Sequence, residues 1–225
     1  MTPSKLHFKP VHLDKKMKRI QDAVRTTREN TPKKNSRLRG KLSRWARDLE
    51  KIQHSLERID RKLRPNLEKE IGLDIKNREL LQVAMFQPST KNIFLEMEIH
   101  YQDSEESPLG DDGFTDLVNL SEMARVLALL GDAAISMAVL ERLWSPSVSD
   151  VGVLTQKRAD IVSNEHMAQV CDKWHLYEHR IHFDPGRPSK DEMDHDKGTL
   201  LEAVYGIIQL ERGFRGVRER ISHLF

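Results

Sequence analysis

The chain has 225 residues, 38% hydrophobic and 32% charged, enough for one core with an extension or for two small domains. Its single cysteine, Cys171, excludes an internal disulfide and any thiolate zinc cluster, which points to a reducing compartment. The N-terminus MTPSKLHFKP lacks an apolar signal core and no run of about 18 apolar residues occurs, so a soluble, cytoplasmic protein with no membrane partner is expected.

The formal net charge of +2 conceals a split. Residues 1–65 hold 20 Lys and Arg against 7 Asp and Glu, a net of +13. The remainder holds 17 against 28, a net of −11. A basic arm attached to an acidic body suggests a polyanionic partner. The same arm could dock instead on the acidic part of its own chain or of a partner.

Leu13, Met17, Ile20, Val24 and Thr27 are followed by Leu38, Leu42, Trp45, Leu49, Ile52, Leu56, Ile59 and Leu63. Spacings of four and three alternate in both runs, the mark of a heptad seam. Between them ENTPKKNSR supplies a break at Pro32 and a cap at Asn35 or Ser36. An antiparallel helical hairpin is the simplest product, and a two-chain coiled coil the competing one. Pro65 should end the second helix. Residues 1–67 are thus read as a basic helical arm and 68–225 as a second, all-α domain.

In that second part, RELLQVAMFQPS predicts a short helix stopped by Pro88. Nothing alternates convincingly with period two, IFLEMEIHY at 93–101 coming nearest, and the domain is expected to be all-α. QDSEESPLGDDGFTD, at 102–116, predicts an acidic loop. Helices are predicted from about Leu120 to Trp144, ending before Pro146. Two more share 150–178, with a break near Ser163 and Asn164, and another runs from about Asp196 to Gly213. An amphipathic tail carries Val217, Ile221 and Leu224. Trp45 reads as a large knob in the seam and Cys171 as a small core residue. His179 and His182 lack a third ligand in phase and read as core or surface residues.

Four of these segments, in order, carry a family pattern. VAMFQPS resembles the "ALTHPS" segment of the ribonuclease III family, with Gln87 where histidine is usual. LALLGDAAI resembles its signature helix, "LEFLGDAVL". GVLTQKRADIVSNEHMA resembles "G-LT-lRs-lVsNe-LA", and GTLLEAVYGIIQLERG resembles "aD-lEAliGAiyLD-G". The resemblance spans roughly residues 72–213. It implies a ribonuclease III-like helical domain, a homodimer formed through the signature helix, and double-stranded RNA as partner. It also implies hydrolysis by divalent metal held on four carboxylates.

Carried over residue by residue, the resemblance gives Asp132 as one metal-ligand position of the signature helix and Ala128 as the other. A further family glutamate falls on Arg125. In the last helix Glu202 keeps its position and Thr199 replaces an aspartate. Asp132 and Glu202 are therefore the candidate catalytic and metal-binding residues of a degenerate site. That site would take Mg²⁺ or Mn²⁺ if the chain is active and no metal if it is not. Arg125 and Asp132 are about 10 Å apart along one helix face, which suggests that Arg125 offsets the remaining carboxylates. Asp194, His195 and Asp196, Thr199, or Glu96 and Glu98 could instead rebuild a metal site. Arg158 and Asn164 read as packing and capping groups.

Many members of that family carry a C-terminal double-stranded-RNA-binding domain. The chain ends about a dozen residues after the last matched helix, so the expectation is that this domain is absent. The basic hairpin would then take its role, through Lys15, Lys16, Lys18, Arg19, Lys33, Lys34, Arg37, Arg39, Lys41, Arg44 and Arg47, clustered around the turn. Three functions stay open: a metal-dependent endoribonuclease, a non-catalytic RNA-binding or ribonucleoprotein scaffold, and a coiled-coil adaptor that never meets RNA.

Overall fold

The structure, a computed structural model, describes residues 8–102, 107–110, 113–144 and 150–225. The predicted stop at Pro146 and parts of the predicted acidic loop lie outside the described residues. Among the described residues there are helices and no strand, only one isolated parallel bridge between Phe86 and Ile181.

The first two helices are the predicted antiparallel hairpin. Helix α1 spans Leu13–Asn30 and α2 spans Ser36–Arg58, and Asn35 caps α2 by accepting from the Leu38 N–H. Every seam residue from Leu42 to Leu63 is buried, and so are Leu13, Met17, Ile20 and Val24. The seam is satisfied within one chain, which removes the need for a second strand. Arg39 ties the turn by donating to the carbonyls of Arg28 (3.1 Å) and Thr31 (2.8 Å).

Pro65 does not end the second helix. A π-turn at Ile59–Leu63 leads straight into α3, Arg64–Ile71, and the helix stops only at Gly72, whose φ is 61°. The Arg64 N–H bonds five residues back to Ile59. The wider turn gives room to a proline ring that would collide with the preceding turn of a regular α-helix. The hairpin also packs on the rest of the chain. Its seam belongs to one continuous hydrophobic cluster with Phe86, Phe94, Trp174 and Tyr205, and Lys16–Asp116, Arg44–Glu96 and Arg78–Asp14 are ion-paired across the junction.

Helix α4, Arg78–Ala84, is followed by a 3₁₀ turn at Pro88–Thr90 and by α5, Lys91–Tyr101. Residues 93–101, the stretch that came nearest to alternation, are thus helical, in keeping with the all-α expectation. The buried residues of α5 are Ile93, Phe94, Met97 and Tyr101, a helical spacing that the alternation of Glu96, Glu98 and His100 hid. A short helix α6, Gly113–Val118, occupies the end of the predicted acidic loop.

Helix α7 spans Leu120–Leu143, α8 Val151–Ile161 and α9 Asn164–Lys173. The break between α8 and α9 falls where expected, but Ser163 rather than Asn164 is the cap, accepting from the His166 N–H. Helix α10, Lys190–Arg220, starts earlier than expected because Ser189 and Glu192 form a reciprocal capping box. Gly213, with φ 68°, breaks its regularity at the predicted end. The chain then resumes as a helix whose Val217, Ile221 and Leu224 are buried.

Helix α7 differs from expectation in one further respect. Among the described residues it alone is long and apolar enough to cross a membrane by length and composition. Here Leu127, Ala128, Ala134, Ile135, Ala138 and Val139 are buried in the core, and α7 packs along α10. That placement accounts for the apolar character of the buried face, while Val126, Leu129, Met137 and Leu140 remain exposed.

Candidate functional site

The two long helices that carry the site meet at glycines. A Cβ on Gly131 would run into the backbone carbonyl of Glu202, and one on Gly206 into that of Leu127. Only glycine at both positions lets α7 and α10 touch backbone to backbone. The close approach fixes Asp132, next to Gly131, beside Glu202.

Burial pushes the Glu202 carboxyl up to about 7, and the nearby charge of Asp132 adds to that rise; no basic side chain offsets it. Neither carboxylate has a hydrogen bond or ion pair among the described residues. Asp132 is exposed and Glu202 partly buried. The structure thus brings together the two acids singled out in the sequence.

It does not bring Arg125 to them. Arg125 is exposed and pairs with Glu122 at 3.4 Å, one turn back on its own helix. An exposed i,i+3 pair costs little to form and keeps the guanidinium at the surface. The expectation that Arg125 offsets the carboxylate pair is therefore not met.

A four-carboxylate metal site does not fit these residues. Ala128 is a buried methyl, 4% exposed, and Thr199 offers at most a hydroxyl. Among the described residues no group of three or more His, Cys, Asp or Glu converges on a point that could hold a metal. Glu96 is committed to Arg44 and to the Trp45 indole N–H (3.1 Å). Asp196 lies in a different cavity, lined by Tyr177, Arg180 and Asp184. Mg²⁺ needs hard oxygen donors in near-octahedral array, and the site supplies two carboxylates, one of them protonated into the neutral range.

The basic residues of the arm divide into two sets. Lys15, Lys18, Arg19, Lys33, Lys34, Arg37 and Arg47 are exposed with no ion-pair partner among the described residues. Lys16 and Arg44 are paired with Asp116 and Glu96, Arg39 is bonded to carbonyls, and Lys41 sits 4.7 Å from the Trp45 ring centre. Self-docking therefore consumes some of the basic residues and leaves the others free. They do not all surround the turn. Lys15, Lys18 and Arg19 lie at the opposite end of α1, about 20 Å along the axis from Lys33.

The remaining singled-out residues are structural. Trp45 is fully buried, and Cys171 is buried with its thiol pushed up to about 12, first by burial. His179 is buried. Arg158 donates to the Ser136 hydroxyl at 3.2 Å, linking α8 to α7. Gly131 and Gly206 were not named as site residues from sequence, although a glycine inside each apolar helix was the available signal.

Residues 125–213 match the family model described as "Ribonuclease III domain". The chain is also 30% identical over 91 residues to the protein "Ribonuclease 3" of Aster yellows witches'-broom phytoplasma (strain AYWB). That alignment covers 39% of this chain and 37% of the relative, so the chain spans little more than a third of the length of the curated relative it matches. The matched interval contains Asp132, Glu202 and both crossing glycines.

Proposed function

We propose that the chain, which matches the family model described as "Ribonuclease III domain" over residues 125–213, carries a divergent domain of that family and binds double-stranded or structured RNA without hydrolysing it. The observation that carries this reading is the site itself. The helix crossing is present, yet only two of the four expected carboxylates are there and, among the described residues, no third ligand converges on them.

The arm supplies the electrostatics. Lys15, Lys18 and Arg19 at one end of α1, and Lys33, Lys34 and Arg37 at the turn, form two unpaired cationic groups on one rigid hairpin. Duplex RNA is bound mainly through its phosphates and 2′-hydroxyls, which such a surface suits. Alanine at these six positions should weaken duplex binding and flatten its salt dependence, read by fluorescence anisotropy across a salt series. Unchanged affinity and slope would defeat the arm reading and favour the adaptor.

A homodimer through α7 is part of the proposal. Val126, Leu129, Ala133, Met137 and Leu140 form an exposed apolar stripe, Leu129 being 70% exposed. The stripe is palindromic: residues 126 and 140, and 129 and 137, are equidistant from 133. Two copies of α7 packed antiparallel about Ala133 would bury it reciprocally. Helix α8, which has no buried residue, would extend that interface. Leu129→Glu should yield monomers in sedimentation; a wild-type chain that is itself monomeric would contradict the dimer.

A second reading, metal-dependent hydrolysis, is favoured by one observation: Asp132 and Glu202 remain neighbours. It would require ligands beyond the two carboxylates that the described residues bring together.

A further inference from the structure

A polar cavity lies away from the helix crossing and is unused by the function above. It has a volume of about 470 Å³ and is lined by Gln87, Tyr177, Arg180, Asp184, Arg187 and Asp196, among others. That is the size of a small-ligand pocket.

Its wall is built rather than loose. The segment 182–189, HFDPGRPS, is fastened at its start by the Phe183 N–H donating to the Ser89 hydroxyl (2.9 Å). At its end it is fastened by the Ser189–Glu192 capping box. Just upstream, Ile181 exchanges backbone hydrogen bonds with Met85 (2.8 Å) and Gln87 (3.0 Å). The Arg180 guanidinium lies 3.7 Å from the centre of the Tyr177 ring, a preformed flat platform.

The polar groups around that platform are of both kinds. Asp196 makes no hydrogen bond or ion pair among the described residues, and burial raises its pKa. Among the described residues Asp184 is engaged only by His182, at 3.4 Å, and burial, followed by Arg180, pushes the His182 imidazole toward its neutral form. The Tyr177 hydroxyl is buried without a partner. Arg187 and the Gln87 amide have no partner among the described residues. The two carboxylates disfavour a bare phosphate, and among the described residues no metal-binding group assembles here. An occupant that presents donors on one edge and acceptors on another, with a flat face, fits these groups.

We propose that this cavity binds a guanine base. Its N1–H and N2–H would donate to the Asp196 and Asp184 carboxylates, O6 and N7 would accept from Arg187 and Gln87, and the ring would stack on the Arg180–Tyr177 platform. Adenine presents an unprotonated N1 to the same carboxylates and is rejected. For its source in RNA, an unpaired guanine, the proposal rests on the RNA-binding reading above; a free guanine nucleotide is the other source.

The test uses the full chain with 5′-GMP and 5′-AMP, followed by heteronuclear NMR shifts and calorimetry. GMP should bind at least about tenfold more tightly than AMP. Asp196→Asn should cost at least about tenfold in GMP affinity with an unchanged melting temperature. Equal affinity for the two nucleotides, an Asp196→Asn chain that binds like wild type, or no GMP binding at about 5 mM would overturn the proposal. Duplexes with a 3′-overhanging guanine or adenine separate the sources. A guanine preference abolished by Asp196→Asn assigns RNA, and GMP binding without such a preference assigns the free nucleotide. Blunt-duplex binding, measured in parallel, reports on the arm alone, so each reading can fail without the other.

Discussion

Two helix pairs organise this chain, and they are held by opposite means. The α1–α2 hairpin is a seam of large side chains, with Trp45, Leu49, Ile52 and Leu56 fully or almost fully buried. The α7–α10 crossing has no side chain at its centre, where Gly131 and Gly206 put backbone against backbone. A seam of large side chains spreads its stabilisation over many residues and leaves the outer faces free to carry charge. A glycine crossing concentrates its constraint at two positions and fixes the geometry of whatever stands next to them. The hairpin therefore keeps its outer faces open for the proposed RNA contact, and the crossing holds two acids in register.

Removing the largest seam residue should have the largest effect. Trp45→Ala deletes a fully buried ring and its bond to Glu96, and is expected to cost about 4 kcal/mol in denaturant unfolding. At the crossing the damage comes from addition. Gly131→Ala or Gly206→Ala forces the helices apart at a rigid backbone contact, with an expected cost of about 3 kcal/mol. It should also move Asp132 away from Glu202, so the Glu202 carboxyl should titrate lower in ¹³C NMR.

A smaller effect follows from that titration. Glu202 in the folded chain holds its proton up to about 7, against 4.5 for an unperturbed glutamate. Between those values the folded state binds the extra proton. Stability from this group is complete below the unfolded value and falls as pH rises through the window. Glu202→Gln should flatten the decline in stability between about pH 4.5 and 7. Smallest of all is Arg125→Ala. Its partner Glu122 is exposed, so stability should change by no more than about 0.5 kcal/mol and the Glu202 titration should not move. A lowered Glu202 pKa in wild type relative to Arg125→Ala would restore the offsetting role that the geometry denies.

Periodicity made the hairpin legible in the sequence, because a heptad seam is local and repeats. The break near Ser163 and the stop at Gly213 were legible for the same reason: caps and glycines act within a few residues. Pro65 misled because a π-turn can absorb a proline. Residues 93–101 were the least legible helix because their charges alternate, while Ile93, Phe94, Met97 and Tyr101 keep a helical face. The early start of α10 was written in Ser189-Lys-Asp-Glu192, a capping box that the loop composition around it obscured. Asp132 and Glu202 came from family resemblance, 70 residues apart in the chain. Their partner-free state and the surface pairing of Arg125 depend on side-chain directions that spacing alone does not determine.

The most direct measurement is the fate of a long RNA duplex incubated with the purified chain in Mg²⁺ and, separately, in Mn²⁺, beside an Asp132→Asn/Glu202→Gln double variant. The account predicts that wild type and variant both bind the duplex and leave it intact in either metal. Cleavage by wild type that the double variant abolishes would contradict it.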